Sequence, residues 1–241
     1  MQKPTVQCVL RSEALRYAAN CLADAGICVT EKAAPDVTHL LLPVPSFTAG
    51  DAYCTHILSD LPEDVIIAGG NLNSPLLQKY QTVDFLQDPY YTARNAAITA
   101  DCTIEIIENN LGHPPAGLQV LILGWGRIGK CLGKKLQQAG GIVTVAARKV
   151  QDLAILQALG YRSVSTEIIA AETKDYDVII NTVPVLLLQN PNTKPNAILL
   201  ELASRPGMTG DHIIDARGLP SKMAPAQSGK LIAETLIRLT L

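Results

Sequence analysis

Three glycines, at positions 124, 126 and 129, form the pattern in this chain that most directly indicates chemistry. An apolar run at 120–123 precedes them, a helix-compatible segment follows, and a second apolar run covers 142–147. A G-x-G-x-x-G spacing between a strand and a helix is typical of dinucleotide-binding folds, in which the pyrophosphate lies on the helix N-terminus. The glycines permit a tight turn, approach of the backbone to the phosphates, and close packing of helix on strand. We therefore predict a cofactor-binding segment formed by Gly124, Trp125, Gly126, Arg127, Ile128 and Gly129.

Two cations, Arg148 and Lys149, follow the second apolar run. A fold specific for NAD usually carries Asp or Glu at this strand end, where the carboxylate hydrogen-bonds the ribose. Cations suit a ribose 2′-phosphate instead, so the sequence favours NADP as cofactor, and NAD stays possible. The simpler alternative is a solvated turn after a strand. Arg127 is open to two interpretations, as a second phosphate contact or as a surface residue.

The same glycines also fit the G-x-x-x-x-G-K spacing of a P-loop, with Lys130 as the lysine. Cys131 stands where a P-loop has the Ser or Thr that binds magnesium. Asp177 precedes its strand, whereas a magnesium-binding Asp would end it. The sequence therefore disfavours a nucleoside triphosphatase.

A polar turn, Asn181-Thr182-Val183-Pro184, follows a third apolar run. At the carboxyl edge of a parallel sheet this turn would lie near the nicotinamide ring, so we predict that its residues contact the cofactor. Two alternatives remain open, because Pro184 can simply end the strand and Asn181 or Thr182 can cap a helix.

Arg205 is the best candidate for holding a substrate carboxylate, because its planar fork fits carboxylate geometry. It follows another apolar run, next to Ser204, which can supply a hydroxyl donor. The alternative is a surface salt bridge.

Other chemistries find no support in the sequence. The four histidines have no metal-ligand spacing, so no metal site is predicted. Ser228-Gly229 lacks the G-x-S-x-G elbow of α/β-hydrolases.

Short apolar runs alternate with helical patterns along the whole chain, which predicts parallel sheets covered by helices. Ser12 is a plausible N-cap of the first helix and Gly26 its stop. The predicted strands cover 6–10, 27–30, 39–42, 65–68, 82–85, 120–123, 142–147, 178–181 and 197–202, and the clearest helices cover 13–25, 92–109 and 228–241.

Glycine, proline and asparagine accumulate at 109–117, which is the best candidate for a domain boundary. We predict an α/β protein of two Rossmann-like parallel-sheet domains bridged by long helices, with the cofactor domain C-terminal. The predicted parts are a flavodoxin- or Rossmann-like substrate domain at 1–112, a cofactor domain at 117–225, and a helix at 226–241 that returns towards the first domain.

Composition narrows the class of protein. Of 241 residues, 48% are hydrophobic and 17% charged, with a net charge of −2, so a folded core is expected and nucleic acid is not an expected partner. No apolar run is long enough for a membrane span, and the N-terminus lacks a signal-peptide core. The six scattered cysteines indicate reduced, mostly buried thiols in a cytoplasmic protein.

From about residue 90 onwards the chain resembles the A subunit of dipicolinate synthase, known from endospore-forming bacteria. The resemblance rests on the order of several motifs: NAAITADCTIEI at 95–106, VLILGWGRIG at 120–129, VTVAARK at 143–149, NTVP at 181–184, LASRPG at 202–207 and GLPSKMAP at 218–225 with Ser228-Gly229.

The resemblance implies an NADP-linked oxidoreductase subunit of sporulation, which acts with a second, flavoprotein-like B subunit. Together they would oxidise a dihydrodipicolinate-level intermediate to dipicolinate, completing an aromatic pyridine ring. Arg205 and Lys222 are then the expected anchors of the dicarboxylate, with Asn95 and Ser204 as further substrate contacts. No catalytic acid or base can be assigned, and a homo-oligomer is expected.

Two other functions remain open at this stage. One is an enzyme similar to D-2-hydroxyacid dehydrogenases that acts on another small acid, although no catalytic histidine is identifiable. The other is a non-catalytic regulator that binds NADP.

Overall fold

The computed structural model describes residues 4–32, 34–47, 56–58 and 61–241. The chain divides into two compact units. The first unit comprises Met1–Asn95 with Pro220–Leu241, and the second comprises Ala96–Leu219. The division therefore falls inside a helix, Pro89–Leu111, and not at the glycine- and proline-rich segment 109–117, which follows the end of that helix.

The first unit contains a five-stranded parallel sheet in the order β2-β1-β3-β4-β5, which is the flavodoxin-like order. Its apolar core includes Leu40, Leu42, Ile67 and Leu77. The elements of this part are β1 (Thr5–Cys8), α1 (Glu13–Asp24), β2 (Cys28–Thr30), β3 (His39–Leu41), β4 (Ile66–Gly69), β5 (Gln81–Asp84) and the start of α2 (Pro89–Leu111).

The C-terminal segment completes the first unit through α5 (Leu219–Met223) and α6 (Pro225–Thr240). A Cβ at Gly229 would lie 2.4 Å from the Ala14 carbonyl oxygen and 2.5 Å from Tyr17 Cβ, so α6 contacts α1 almost backbone to backbone. Helix α6 begins three residues before the predicted 228, because Pro225 occupies its first turn, where proline is already in helical geometry.

The second unit contains a six-stranded parallel sheet in the order β13-β11-β9-β6-β7-β8, the doubly wound Rossmann order. Its central strand is apolar on both faces, as expected when helices or loops cover a parallel sheet. The elements are β6 (Gln119–Leu123), α3 (Arg127–Gln138), β7 (Ile142–Ala147), α4 (Val150–Ala158), β8 (Arg162–Ser165), β9 (Val178–Asn181), β10 (Leu188–Gln189), β11 (Ile198–Glu201), β12 (Met208–Thr209) and β13 (Ile213–Asp215).

The predicted fold class, α/β with parallel Rossmann-like sheets, is confirmed. Four short strands were missed: β8 and β13 at the two edges of the sheet, and the separate pair β10 and β12. Their sequences are too short, and too polar at the edges, to show a period. Within the described residues no helix is both long and apolar enough to cross a membrane.

The cysteines are less buried than the sequence suggested. All five described cysteines are free thiols: Cys8 and Cys102 are buried, Cys21 and Cys131 are half-buried, and Cys28 is exposed. Burial raises the pKa of the Cys8 thiol to about 12, so its reactive thiolate is rare at neutral pH. The sixth, Cys54, lies outside the described residues.

Thiol labelling of the native protein can test this arrangement. We expect a Cys28→Ser variant to lose one rapidly reacting thiol in a titration with an aromatic disulfide reagent at neutral pH. A Cys8→Ala control should retain the rapid phase of the unchanged protein, because Cys8 is buried and protonated. Loss of the rapid phase in the Cys8 variant alone would contradict the fold at β1 and β2.

Candidate functional site

A cavity of about 420 Å³ opens at the carboxyl edge of the six-stranded sheet. It lies beside β6, where the strand order reverses between β9 and β7, which is the position where open α/β sheets bind ligands. Five segments line it: the glycine loop, the end of β7, the first turn of α4, the loop after β8 and the loop after β9. The lining residues are Gly124, Trp125, Gly126, Ala146, Ala147, Arg148, Lys149, Asp152, Thr166, Val183, Val185 and Leu187.

The three glycines of the loop occupy three different environments. Gly124 has φ +103°, which favours glycine, and a Cβ there would lie 2.5 Å from Val183 Cγ2. A Cβ at Gly129 would lie only 2.2 Å from the Gly124 carbonyl oxygen, so the first turn of α3 is packed directly on the loop. Apart from its two chain neighbours, no described residue places an atom within 4 Å of a Cβ at Gly126, which leaves this side of the backbone open.

The N-terminus of α3 begins at this open position. Gly126 is its N-cap and has no side chain that could accept from the first amides, whereas in α1 the Ser12 side chain accepts from Leu15 N. The N–H groups of 127–129 have no acceptor within the helix. Together with the helix dipole, they form a site suited to a phosphate group.

Trp125 packs its ring against Tyr161 and forms one wall of the cavity. The two ring centroids are 5.2 Å apart at 63°, an edge-to-face contact. Gly133 in α3 makes room for the pair, since a Cβ there would lie 3.2 Å from both rings. In the same loop, Arg127 is exposed and Ile128 half-buried, and neither lines the cavity.

Arg148 and Lys149 both line the cavity at the end of β7 and both are exposed. Within the described part of the chain, neither side chain forms an ion pair. Lys149 is also the N-cap residue of α4, so the first amides of this helix lie at the same place. Asp152, in the first turn of α4, is the acidic residue that lines the cavity beside them.

Hydrogen bonds within the turn after β9 stabilise its shape, and of its four residues only Val183 lines the cavity. Asn181 is fully buried, its Oδ1 accepts from Val183 N at 3.1 Å, and its Nδ2 donates to the Val183 carbonyl at 2.9 Å. Thr182 Oγ1 donates to the Leu123 carbonyl at 2.8 Å. Val183 lines the cavity, while Pro184 is exposed. No helix follows this turn, so the helix-cap alternative is wrong.

Glu201 is a site residue that the sequence reasoning missed. Its carboxylate, in a side chain only 4% exposed, ends β11 and accepts hydrogen bonds from Asn181 Nδ2 at 2.7 Å and from Gly207 N at 2.8 Å. It also accepts from Ala203 N and Met208 N at 3.0 and 3.1 Å. The available signal was an acidic residue that ends an otherwise apolar strand.

The predicted substrate residues lie in both units. Ser204 and Arg205 are exposed on the loop between β11 and β12 of the second unit. Arg205 forms no ion pair with any described residue, so the surface salt bridge considered above is absent there. Asn95, half-buried in α2, and Lys222, exposed in α5, belong to the first unit.

Asp177 serves a different purpose from the magnesium ligand of a P-loop. It lies before β9, where its carboxylate accepts from Gln119 N at 2.8 Å and pairs with Lys194 at 2.6 Å. Burial works against ionisation, but these donors hold the pKa of Asp177 below its usual value. Among the described residues no group of His, Cys, Asp or Glu side chains could hold a metal ion.

Known proteins give a consistent comparison. No protein-family model matches the chain. The A subunit of dipicolinate synthase from Bacillus subtilis (strain 168) is 27% identical over 231 residues, which cover 84% of this chain and 77% of that protein. The crystal structure of the corresponding dipicolinate synthase subunit from Bacillus halodurans superposes with a TM-score of 0.82 at 22% identity, over 98% of this chain and 97% of that one.

More distant structural neighbours share the fold. A transhydrogenase from Sinorhizobium meliloti has a TM-score of 0.69 at 12% identity, over 90% of this chain and 77% of that one. An L-alanine dehydrogenase has a TM-score of 0.64 at 11% identity, over 97% and 88%. The resemblance to the A subunit of dipicolinate synthase is therefore confirmed, on a dehydrogenase-type fold.

Two glycine substitutions should distinguish the tightly packed glycine position from the open one. We expect Gly129→Ala to lower the free energy of unfolding by roughly 1–3 kcal/mol or more, because its Cβ meets a backbone oxygen that cannot easily move. Gly126→Ala should cost no more than ~1 kcal/mol, the scale of an N-cap change, because its Cβ points into open space. Denaturant unfolding measures both values, and equal losses would contradict the loop geometry.

Proposed function

We propose that this chain is an NADP-dependent oxidoreductase of the same type as the A subunit of dipicolinate synthase. The observation that carries the proposal is one cavity that joins the glycine loop, the uncapped N-terminus of α3 and the cations Arg148 and Lys149. The Bacillus subtilis relative, a dipicolinate synthase subunit by name, supports the reaction class.

The residues around the cavity fit a dinucleotide. The open face of Gly126 and the first amides of α3 would hold the pyrophosphate. The apolar side chains Val183, Val185 and Leu187, on the loop after β9, offer a surface for the nicotinamide half. Arg148 and Lys149 would then bind the ribose 2′-phosphate, which distinguishes NADP from NAD.

For the substrate we propose a small cyclic dicarboxylate at the dihydrodipicolinate level. Its ring would give up a hydride and a proton and would become aromatic. NADP supplies the hydride acceptor, and the protein's own task is to position the two reactants. Arg205 is proposed to hold a carboxylate of this substrate, with Ser204 as a further contact.

We also propose that the chain acts with a flavoprotein-like B subunit and forms a homo-oligomer. Both proposals rest on the resemblance to dipicolinate synthase.

Charge reversal at Arg148 should test the cofactor preference. Trp125 is the single tryptophan of the chain and lines the cavity, so its fluorescence can report cofactor binding. We expect Arg148→Asp to weaken NADP binding by roughly 1.5–3 kcal/mol, the scale of a hydrogen bond to a charged group. NAD binding should change much less, since NAD lacks the 2′-phosphate.

Arg162→Asp is the matched control, because Arg162 is an exposed arginine of the same unit that does not line this cavity. It should leave both affinities unchanged. If Arg148→Asp weakens NADP and NAD binding equally, the NADP assignment is wrong.

Turnover should test the substrate assignment. We expect NADPH to form, measured by its near-ultraviolet absorbance, when the protein is mixed with NADP and the dihydrodipicolinate-level compound, with and without the flavoprotein-like partner. Arg205→Lys should reduce turnover, because an ammonium cannot replace the planar bidentate fork. Binding of NADP without turnover under either condition would instead favour a non-catalytic regulator.

A further inference from the structure

We propose that Glu201 is a positioning residue that holds the loops on the nicotinamide side of the proposed cofactor site. The adenosine side of that site does not depend on it. The proposal rests on the function proposed above. Its structural basis is a buried carboxylate that connects two loops at the carboxyl edge of the second unit's sheet.

The Glu201 carboxylate accepts hydrogen bonds from four different donors. Oε1 accepts from Asn181 Nδ2 at 2.7 Å and from Ala203 N at 3.0 Å. Oε2 accepts from Gly207 N at 2.8 Å and from Met208 N at 3.1 Å. One side-chain amide and three backbone amides therefore satisfy the carboxylate of a residue that is only 4% exposed.

The first loop that Glu201 holds is its own, between β11 and β12. Three amides of this loop converge on the carboxylate, so the segment 203–208 folds around it. Ser204 and Arg205, exposed at the tip, belong to this segment. The carboxylate therefore fixes the backbone that carries the proposed substrate anchor.

The second loop is the turn after β9, reached through Asn181. A Cβ at Gly207 would lie 2.3 Å from Asn181 Nδ2 and 2.6 Å from the Val183 carbonyl oxygen, so Gly207 packs directly on the Asn181 side chain and the Val183 backbone. Val183 in turn contacts Gly124 of the glycine loop. The contacts thus run continuously from Glu201 to the dinucleotide loop.

The adenosine side of the cavity is built independently of Glu201. Arg148, Lys149 and Asp152 belong to the end of β7 and the start of α4, on the other side of β6 in the strand order. In a Rossmann fold the nicotinamide half lies over the strands that follow the switch point, here β9 and β11. Loss of the carboxylate should therefore affect one half of the cofactor.

Glu201→Gln is the sharpest change, because it keeps the shape. In either orientation of the new amide, its NH₂ group faces two donors, either Asn181 Nδ2 with Ala203 N or Gly207 N with Met208 N. Two hydrogen bonds are then lost and donors face each other. The two loops should loosen while the sheet stays intact.

The test compares two ligands by Trp125 fluorescence in the full chain. NADP contains both halves of the cofactor, and adenosine 2′,5′-bisphosphate contains only the adenosine half. We expect Glu201→Gln to weaken NADP binding by about tenfold, as for lost hydrogen bonds to a charge, and to leave adenosine 2′,5′-bisphosphate binding unchanged. Hydrogen exchange of the Gly207 and Met208 amides should become faster.

Asp215→Asn is the matched control. Asp215 lies directly opposite Glu201 in the neighbouring strand β13, but its side chain is exposed and forms a salt bridge with Arg217. It should change neither affinity. If Glu201→Gln does not fold, Asn181→Ser removes the hydrogen bond between the loops, together with the bonds of Asn181 to Val183, and leaves the three backbone donors of Glu201 in place. It should give the same selective loss.

Three results would overturn the inference. Parallel losses for NADP and adenosine 2′,5′-bisphosphate would show that Glu201 holds the whole unit. Unchanged affinities would show that the loops do not depend on it. If the unchanged protein binds no dinucleotide at all, the proposed function itself fails, and this inference fails with it.

Discussion

The contact between Gly124 and its neighbours is the constraint on which the rest of the site depends. On one side Gly129 places the first turn of α3 against the Gly124 carbonyl, and on the other side Thr182 and Val183 pack where a Cβ would be. Any side chain at Gly124 would separate the helix terminus from the turn after β9. Both elements meet at Gly124. This one residue therefore fixes where the first amides of α3 lie relative to the loops after β9 and β11.

Two electrostatic strategies occur at the same edge of the sheet. Around Arg148 and Lys149, positive charge is left exposed beside the N-termini of α3 and α4, an arrangement that attracts anions. At Glu201 the negative charge is buried and satisfied by the protein's own donors. The first arrangement favours binding and the second favours rigidity, which is the division expected between a ligand site and its support.

The sequence predicted the parts of the site that depend on local pattern. The glycine loop, β6 and β7 follow from an apolar run, a glycine spacing and a second apolar run, all within about 30 residues, the usual span of a βαβ unit. Glu201 and Asn181 could not be linked in this way, because they are far apart in sequence and meet only when β9 and β11 pair. The role of Asn181 also depended on what followed it, since a cap needs a helix and the chain forms a tight turn instead.

The packing of α6 on α1 has a consequence for the order of assembly. The second unit is one continuous stretch, Ala96–Leu219, whereas the first unit needs Pro220–Leu241 to complete it. During synthesis on the ribosome, the whole of the second unit is therefore made before the last segment of the first unit. Until α6 emerges, the face of α1 that includes Ala14 and Ala18 lacks its partner helix. An apolar helix face that lacks its partner is the kind of surface that chaperones commonly bind.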